Sequence, residues 1–148
     1  MPTDPPAGFE PVEHTADIGL RVWGRSPNEL FEQAALGMIT LLTDPARVRP
    51  ELEREIVLEA ADLEEALVSW LQELIYLFEV ERFLAAEFQV AAASSSGVRA
   101  RVRGERFDRT RHETRMDIKA ATYHNLHIQK LRAADGTDRW ETVVIFDI

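Results

Sequence analysis

The chain has 148 residues, of which 45% are hydrophobic and 29% are charged, so it fits one globular domain with a core of ordinary size. The absence of cysteine excludes disulfide bonds and thiolate metal sites. The formal net charge of -9 disfavours a protein that binds nucleic acid over its whole surface, because phosphate binding depends on Lys and Arg.

The hydropathy and the first residues of the chain indicate a cytoplasmic protein. No stretch approaches the roughly 20 apolar residues of a membrane span, and the N-terminus lacks the basic and then hydrophobic pattern of a signal peptide. Residues 1–8 are rich in proline and are predicted to be a disordered tail. Residues 9–148 are predicted to form a single domain that has no membrane partner.

The first predicted elements are a strand and a helix. Every second residue from 18 to 22 is a large aliphatic one, which is typical of a half-buried strand. Ser26 and Glu29 form a capping box around Pro27, a residue suited to the first turn of a helix. The helix is predicted to end before Asp44, because a residue that precedes proline avoids the helical conformation.

A second strand and a longer helix follow. Alternation over residues 55–60 predicts the strand. Asp62 and Glu65 give a second capping signal, and apolar residues recur behind them at helical spacing as far as Phe78. This helix is therefore predicted to be the main helix of the core.

The remainder of the chain is predicted to be all-β. Strands are expected around Phe88 and Val90, over residues 98–102, from residue 116 to 120, through Leu126 and Ile128, and over residues 140–146, with turns at residues 94–97 and 134–137. Two helices among about seven strands predict an α+β domain in which the helices pack on an antiparallel or mixed β-sheet.

Two aspartates near the ends of strands form a candidate metal site. Asp17 lies in the turn before the first predicted strand, and Asp147 precedes Ile148, whose main chain adds oxygen atoms. If the last strand lies beside the first, these oxygens converge, and a hard cation such as calcium, magnesium or manganese would relieve their repulsion. The alternative is that Asp17 caps a turn and Asp147 is a solvated terminus.

The histidines give weaker support to a metal site. His124 and His127 are three residues apart on a predicted strand, so they should point to opposite faces and should not share a zinc ion unless the strand breaks there. His14 and His112 lie elsewhere in the chain, and ordinary hydrogen bonding explains all four. Lys119 lies within an apolar strand, where it reaches solvent, pairs with a carboxylate or meets a phosphate near a metal.

Charge is unevenly distributed. Residues 51–87 are mostly acidic, whereas seven arginines occur in residues 99–115: Arg99, Arg101, Arg103, Arg106, Arg109, Arg111 and Arg115. One face could therefore meet RNA or an acidic protein surface, although solvated strand faces explain most of these side chains. Phosphate-loop, dinucleotide-binding and nucleophile-elbow signatures are absent, which fits a protein that assists another enzyme.

Several segments, taken in order, resemble the archease family over residues 9–148. They are Glu13-His14-Thr15-Ala16-Asp17-Ile18-Gly19, Leu30-Phe31-Glu32 with Ala34-Ala35, Asp62-Leu63-Glu64, Trp70-Leu71-Gln72-Glu73-Leu74, Gly104-Glu105 with Asp108 and His112, Ile118-Lys119-Ala120-Ala121-Thr122-Tyr123-His124, and Asp147-Ile148. Three of these segments, in this order, are together specific to the family: the one that begins at Glu13, the one that begins at Ile118, and Asp147-Ile148.

The resemblance implies a fold and a function. The fold is a strand-helix-strand-strand core with an insertion. The function is that of an accessory protein, not itself an enzyme, which activates an RtcB-type RNA ligase in tRNA splicing and RNA repair by promoting guanylylation of the ligase histidine and multiple turnover. RNA would be met only through the ligase. A stand-alone adaptor or chaperone-like module with a structural ion, or a metal-dependent hydrolase, remain the alternatives.

The resemblance also implies the site residues. Motif by motif, the metal ligands are Asp17, Asp147 and the main chain of Ile148, and the family metal is calcium. Three further residues are expected to face the partner, or to contact the metal ligands without binding the metal: His14, Lys119 and His124. The roles of His112, His127 and the arginine-rich segment stay open.

Overall fold

The computed structural model describes residues 5–13 and 17–148, and it confirms the predicted α+β architecture. The elements are β1 (Gly8–Glu13), β2 (Ile18–Gly24), α1 (Pro27–Leu42), a 3-10 helix (Pro45–Arg47), β3 (Leu52–Glu59), α2 (Leu63–Glu81), β4 (Phe83–Ser94), β5 (Gly97–Arg106), β6 (Ala120–Ala121), β7 (Gln129–Arg132) and β8 (Asp138–Asp147).

The strands form two antiparallel sheets. The first has the order β1-β2-β8-β6, with β7 also paired to β8, and the second has the order β3-β5-β4. Helix α1 contacts β2 of the first sheet and β4 of the second, and α2 contacts β4 and β6. Phe31, Trp70 and Phe146 are fully buried where the helices meet the sheets. Among the described residues, neither helix has the length and hydropathy needed to cross a membrane.

Both helices begin where the sequence predicts. Ser26 Oγ accepts a hydrogen bond from Glu29 N at 3.1 Å, and Asp62 Oδ1 accepts one from Glu65 N at 2.7 Å. The Glu29 carboxylate, however, accepts from the backbone N of Arg25 at 3.0 Å, not from Ser26 as in a regular capping box. Helix α1 ends at Leu42, as expected.

A buried hydrogen bond joins the two helices. Trp70 Nε1 donates to the carbonyl oxygen of Phe31 at 2.9 Å, and both side chains are fully buried. The indole thus fills the core and satisfies its own donor there, which fixes α2 against α1.

The N-terminal strand was not predicted. Pro11 interrupts its pattern, and the strand lies at the edge of the sheet with Val12 exposed. Of residues 1–8, which were predicted to be a disordered tail, the structure describes residues 5–8. There, Pro5 O accepts a hydrogen bond from Trp23 Nε1 at 2.7 Å, and Gly8 is the first residue of β1.

The strand predicted over residues 116–120 is wrong except at its end. Strand β6 contains Ala120 and Ala121 only, and residues 113–119 are irregular. The reason is long-range: Arg115 N donates to Leu42 O at 2.9 Å, so this backbone bonds to the end of α1. The strand predicted through Leu126 and Ile128 is also displaced along the chain, because β7 starts only at Gln129.

Gly97 gives a test of the second sheet. Its φ is 145°, and a Cβ on it would lie 1.9 Å from the carbonyl oxygen of Leu58 on the paired strand β3. We expect Gly97→Ala to push β3 from β5 and to lower the free energy of unfolding by about 3 kcal/mol. Urea denaturation followed by circular dichroism measures this change.

Gly136 supplies the matched control. Its φ is 88°, but nothing lies within 4 Å of a Cβ built on it. Gly136→Ala therefore adds backbone strain alone, about 1 kcal/mol. Equal losses in the two variants would show that the contact with Leu58 does not determine the effect.

Candidate functional site

The pairing of β2 with β8 places the two predicted metal ligands at one edge of the first sheet. Ile18 is opposite Phe146 in the register, so the next position beyond the ladder sets Asp17 opposite Asp147. Phe146 is fully buried on the core side. Because side chains alternate along a strand, Asp147 lies on the other face, where it is exposed.

Strand β6 holds the end of β8 from the other side. Lys119 N donates to Asp147 O at 2.8 Å, and Ala120 is opposite Asp147 in the register. The backbone N and Oγ1 of Thr122 both donate to Ile145 O, at 3.0 and 2.8 Å. The segment that contains Lys119 therefore acts as a backbone clamp on the strand that carries Asp147.

Two polar side chains of α2 hold β6 and the residue before β7 in place, and the sequence analysis assigned no role to either. Gln72 Oε1 accepts a hydrogen bond from Ala121 N at 3.0 Å, and Glu64 Oε1 accepts one from Ile128 N at 3.2 Å. Both belong to segments that resemble the archease family. In the sequence, the position of Gln72 and Glu64 beside the apolar face of the predicted core helix could have indicated such a role.

The structure therefore brings some predicted site residues together and not others. Four of them lie together where β2 begins and β8 ends, a place that we call the carboxylate edge: Asp17, Asp147, Ile148 and Lys119. His124 lies in the exposed turn after β6, where its backbone N donates to Thr122 Oγ1 at 3.3 Å. His14 lies outside the described residues.

His127 and His124 do not lie on a strand, contrary to the prediction. Residues 122–128 lie between β6 and β7, and Asn125 has a φ of 51° within this turn. The carbonyl oxygen of His127 accepts from Thr142 Oγ1 at 2.8 Å, toward the middle of β8.

The donor set of the carboxylate edge fits a hard cation. Asp17 is half-buried and Asp147 exposed, and carboxylates directly opposite each other on neighbouring strands repel. Across residues 5–13 and 17–148, no three His, Cys, Asp or Glu side chains form a metal-binding group. A cation held there would need further ligands, which main-chain oxygens such as those of Ile148 or water can supply, and oxygen ligands suit calcium, magnesium and manganese.

A second polar cluster is buried at the end of β5. The Glu105 side chain is only 6% exposed, and its carboxylate accepts from Arg49 N at 2.6 Å, from the Arg111 guanidinium and from His112 Nε2 at 3.0 Å. His112 Nδ1 accepts from Asp108 N at 2.9 Å, so the ring proton lies on Nε2. This network fixes the turn after β5 and accounts for the polar Gly104-Glu105, Asp108 and His112 segment.

The network predicts an acid sensitivity. The bond from Arg111, with those from Arg49 and His112, lowers the pKa of Glu105 from 4.5 to about 2 in spite of burial. The carboxylate therefore stabilises the fold above pH 4.5, and this contribution, roughly 3 kcal/mol, is lost as the pH falls toward 2. Glu105→Gln should lower stability at neutral pH and flatten its dependence on pH between 5 and 2, measured by urea denaturation.

Glu53→Gln is the matched control for this prediction. Glu53 accepts from Arg103 Nε at 3.1 Å, but its side chain is 46% exposed. An exposed pair contributes less than about 1 kcal/mol. If both variants lose the same acid-dependent stability, the buried network does not cause it.

Comparison with known proteins gives consistent matches over the whole domain. The model of the Archease protein family matches residues 9–148. The archease proteins of Methanosarcina mazei and Pyrococcus furiosus are 39% and 36% identical to this chain, which covers 95% and 98% of their lengths over 95% of its own. The solution structure of Methanobacterium thermoautotrophicum protein 1598 superposes with a TM-score of 0.77 at 32% identity, over 95% of this chain and 99% of that one.

Proposed function

The chain belongs to the Archease protein family, and we propose on this basis that it is a metal-binding accessory protein that activates an RtcB-type RNA ligase. In this proposal it promotes guanylylation of the ligase histidine and multiple turnover, in the cytoplasm, and performs no catalytic step itself. Its contact with the substrate RNA of the ligase is through the ligase.

The observation that carries the metal-binding part of the proposal is the register of β2 and β8, which pairs Ile18 with Phe146 and so brings Asp17 and Asp147 to adjoining strand ends. These carboxylates, with main-chain oxygens of Ile148, bind a divalent cation, for which calcium is the first candidate and magnesium and manganese the others. When bound, the cation supplies positive charge that offsets the triphosphate of the ligase nucleotide during nucleotidyl transfer.

The surroundings of the carboxylate edge suit contact with a protein partner. Lys119 is exposed beside it, and His124 is exposed in the turn after β6. Ile148 is 47% exposed next to Asp147, and Tyr123 is 56% exposed in the segment that follows β6. Aromatic and aliphatic side chains of this kind form the centre of protein interfaces, and Lys119 is available for a phosphate or an acidic group of the partner. The backbone clamp from Lys119 to Thr122 holds this surface in register with Asp147.

Ligase activation gives the first test. The cognate ligase is incubated with radiolabelled GTP and a divalent metal, alone or with wild-type protein, Asp17→Ala or Asp147→Ala. We expect the wild type to accelerate formation of the ligase–guanylate adduct and the two variants to lose the acceleration while remaining folded, because each lacks a metal ligand.

Asp138→Ala is the control for charge removal. Asp138 is an exposed carboxylate at the other end of β8, 3.7 Å from Lys130 Nζ. The Asp138→Ala variant should stimulate the ligase as well as the wild-type protein does. Full stimulation by Asp17→Ala and Asp147→Ala would contradict the proposal. Partner binding that survives metal removal would favour the adaptor, and hydrolysis of a phosphate ester without ligase would favour the hydrolase.

Metal binding is tested separately from activation. Protein treated with a chelator is titrated with calcium in a calorimeter, with magnesium and manganese as competitors. We expect Asp17→Asn and Asp147→Asn to weaken calcium binding at least about tenfold, because each loses a charged oxygen ligand. Asp138→Asn should bind as the wild type does, and unchanged affinity in all three variants would place the ion elsewhere.

A further inference from the structure

A basic depression lies at the end of the second sheet, away from the strands that carry the carboxylate edge. It has a volume of about 780 Å³ and lies between the start of β3, the end of α2 and the turn after β5. Five arginines line it: Arg49, Arg82, Arg106, Arg109 and Arg111. We call this feature the arginine depression. Its cations stand out in a chain whose formal net charge is -9.

Three carboxylates also line the depression, those of Glu51, Glu105 and Asp108, and the last two have partners of their own. Glu105 is bonded to Arg111 and to backbone and ring donors. Asp108 Oδ1 accepts from both the N and the Oγ1 of Thr110, at 2.9 and 2.7 Å.

Several guanidinium groups are left without a carboxylate. In the part of the chain that the structure describes, the side chains of Arg82, Arg106 and Arg109 form no ion pair. All three are exposed. The depression therefore presents positive charge to solvent.

Arg101 and Arg103 on β5 are different, because each has a glutamate opposite it on β3. Arg103 Nε lies 3.1 Å from Glu53 Oε1 on β3, and Arg101 is opposite Glu55 in the same register. Acidic and basic residues thus alternate across this sheet face. At the end of β5, Arg106 is opposite Phe83 and has no acidic residue across from it.

The depression is also held rigidly. Phe107 N donates to Arg82 O at 2.7 Å, which ties the end of α2 to the turn after β5. The Phe107 ring stacks on His112, with centroids 5.8 Å apart. Arg111 is oriented by its bonds to buried Glu105. An arginine fixed as Arg111 is loses little entropy when it binds an anion.

We propose that the arginine depression binds phosphate groups, either those of single-stranded RNA or those of a free polyphosphate. Its cations are all arginines, whose planar donor pairs match phosphate oxygens. Among the described residues that line it, eight of ten are charged and two, Leu52 and Phe107, are apolar, which favours a charged ligand over the mixed side chains of a peptide. The site adds a direct phosphate contact to a protein proposed above to meet RNA through its ligase, and it does not depend on the carboxylate edge.

The test is direct binding without any ligase. A fluorescein-labelled single-stranded RNA of about 12 nucleotides is titrated with the full chain, and anisotropy is followed at several salt concentrations. We expect binding that weakens with salt. Arg106→Ala combined with Arg109→Ala should weaken it roughly tenfold at low salt and make its dependence on salt shallower by about one unit of the logarithmic slope.

Arg25→Ala combined with Arg103→Ala is the control, since it removes the same charge from two arginines that are ion-paired, with Glu29 and Glu53. It should bind RNA nearly as the wild type does. Competition by inorganic tripolyphosphate at concentrations comparable to RNA phosphate would identify the ligand as a free polyphosphate, and weak competition would identify it as RNA. Equal loss in the two double variants, or no binding of either probe, would overturn the proposal. Neither result bears on ligase activation.

Discussion

The antiparallel pairing of β8 with β2 joins residues that are 116 to 128 positions apart in the chain, and the first sheet is built around it. Strand β8 is bordered by β2 on one side and by β6 and β7 on the other. Its buried face supplies Phe146 to the core, and its last residue lies opposite Asp17. One set of backbone hydrogen bonds thus completes the core and creates the carboxylate edge.

Local signals in the sequence predicted the helices well, because the groups that define a helix end are neighbours in sequence. Ser26 and Asp62 cap the helices they were predicted to cap. The strands were harder to predict. An exposed edge strand containing Pro11 lacks the alternating pattern, and the bond from Arg115 to Leu42 that prevents a strand at residues 116–119 joins distant parts of the chain.

The candidate site was predictable in its residues but not in its geometry. The sequence placed Asp17 and Asp147 beside strands, and the register confirms that those strands are neighbours. The metal itself stays a prediction. Glu105 was recognised as too polar for its strand, but its partners Arg49 and Arg111 could not be inferred, because they are brought to it by the fold. The difference between neutralised and unneutralised arginines likewise appears only once cross-strand neighbours are known.

The sequence separation between β2 and β8 has a consequence for folding during synthesis. The helices and the second sheet lie within residues 27–106 and can assemble while the chain is still being translated. Strand β2, however, must wait for a partner that follows it by 116 to 128 residues, and pairings of such high contact order form slowly. Until then the edge of β2 that pairs with β8 is open to other nascent chains, which makes this interval a period of aggregation risk.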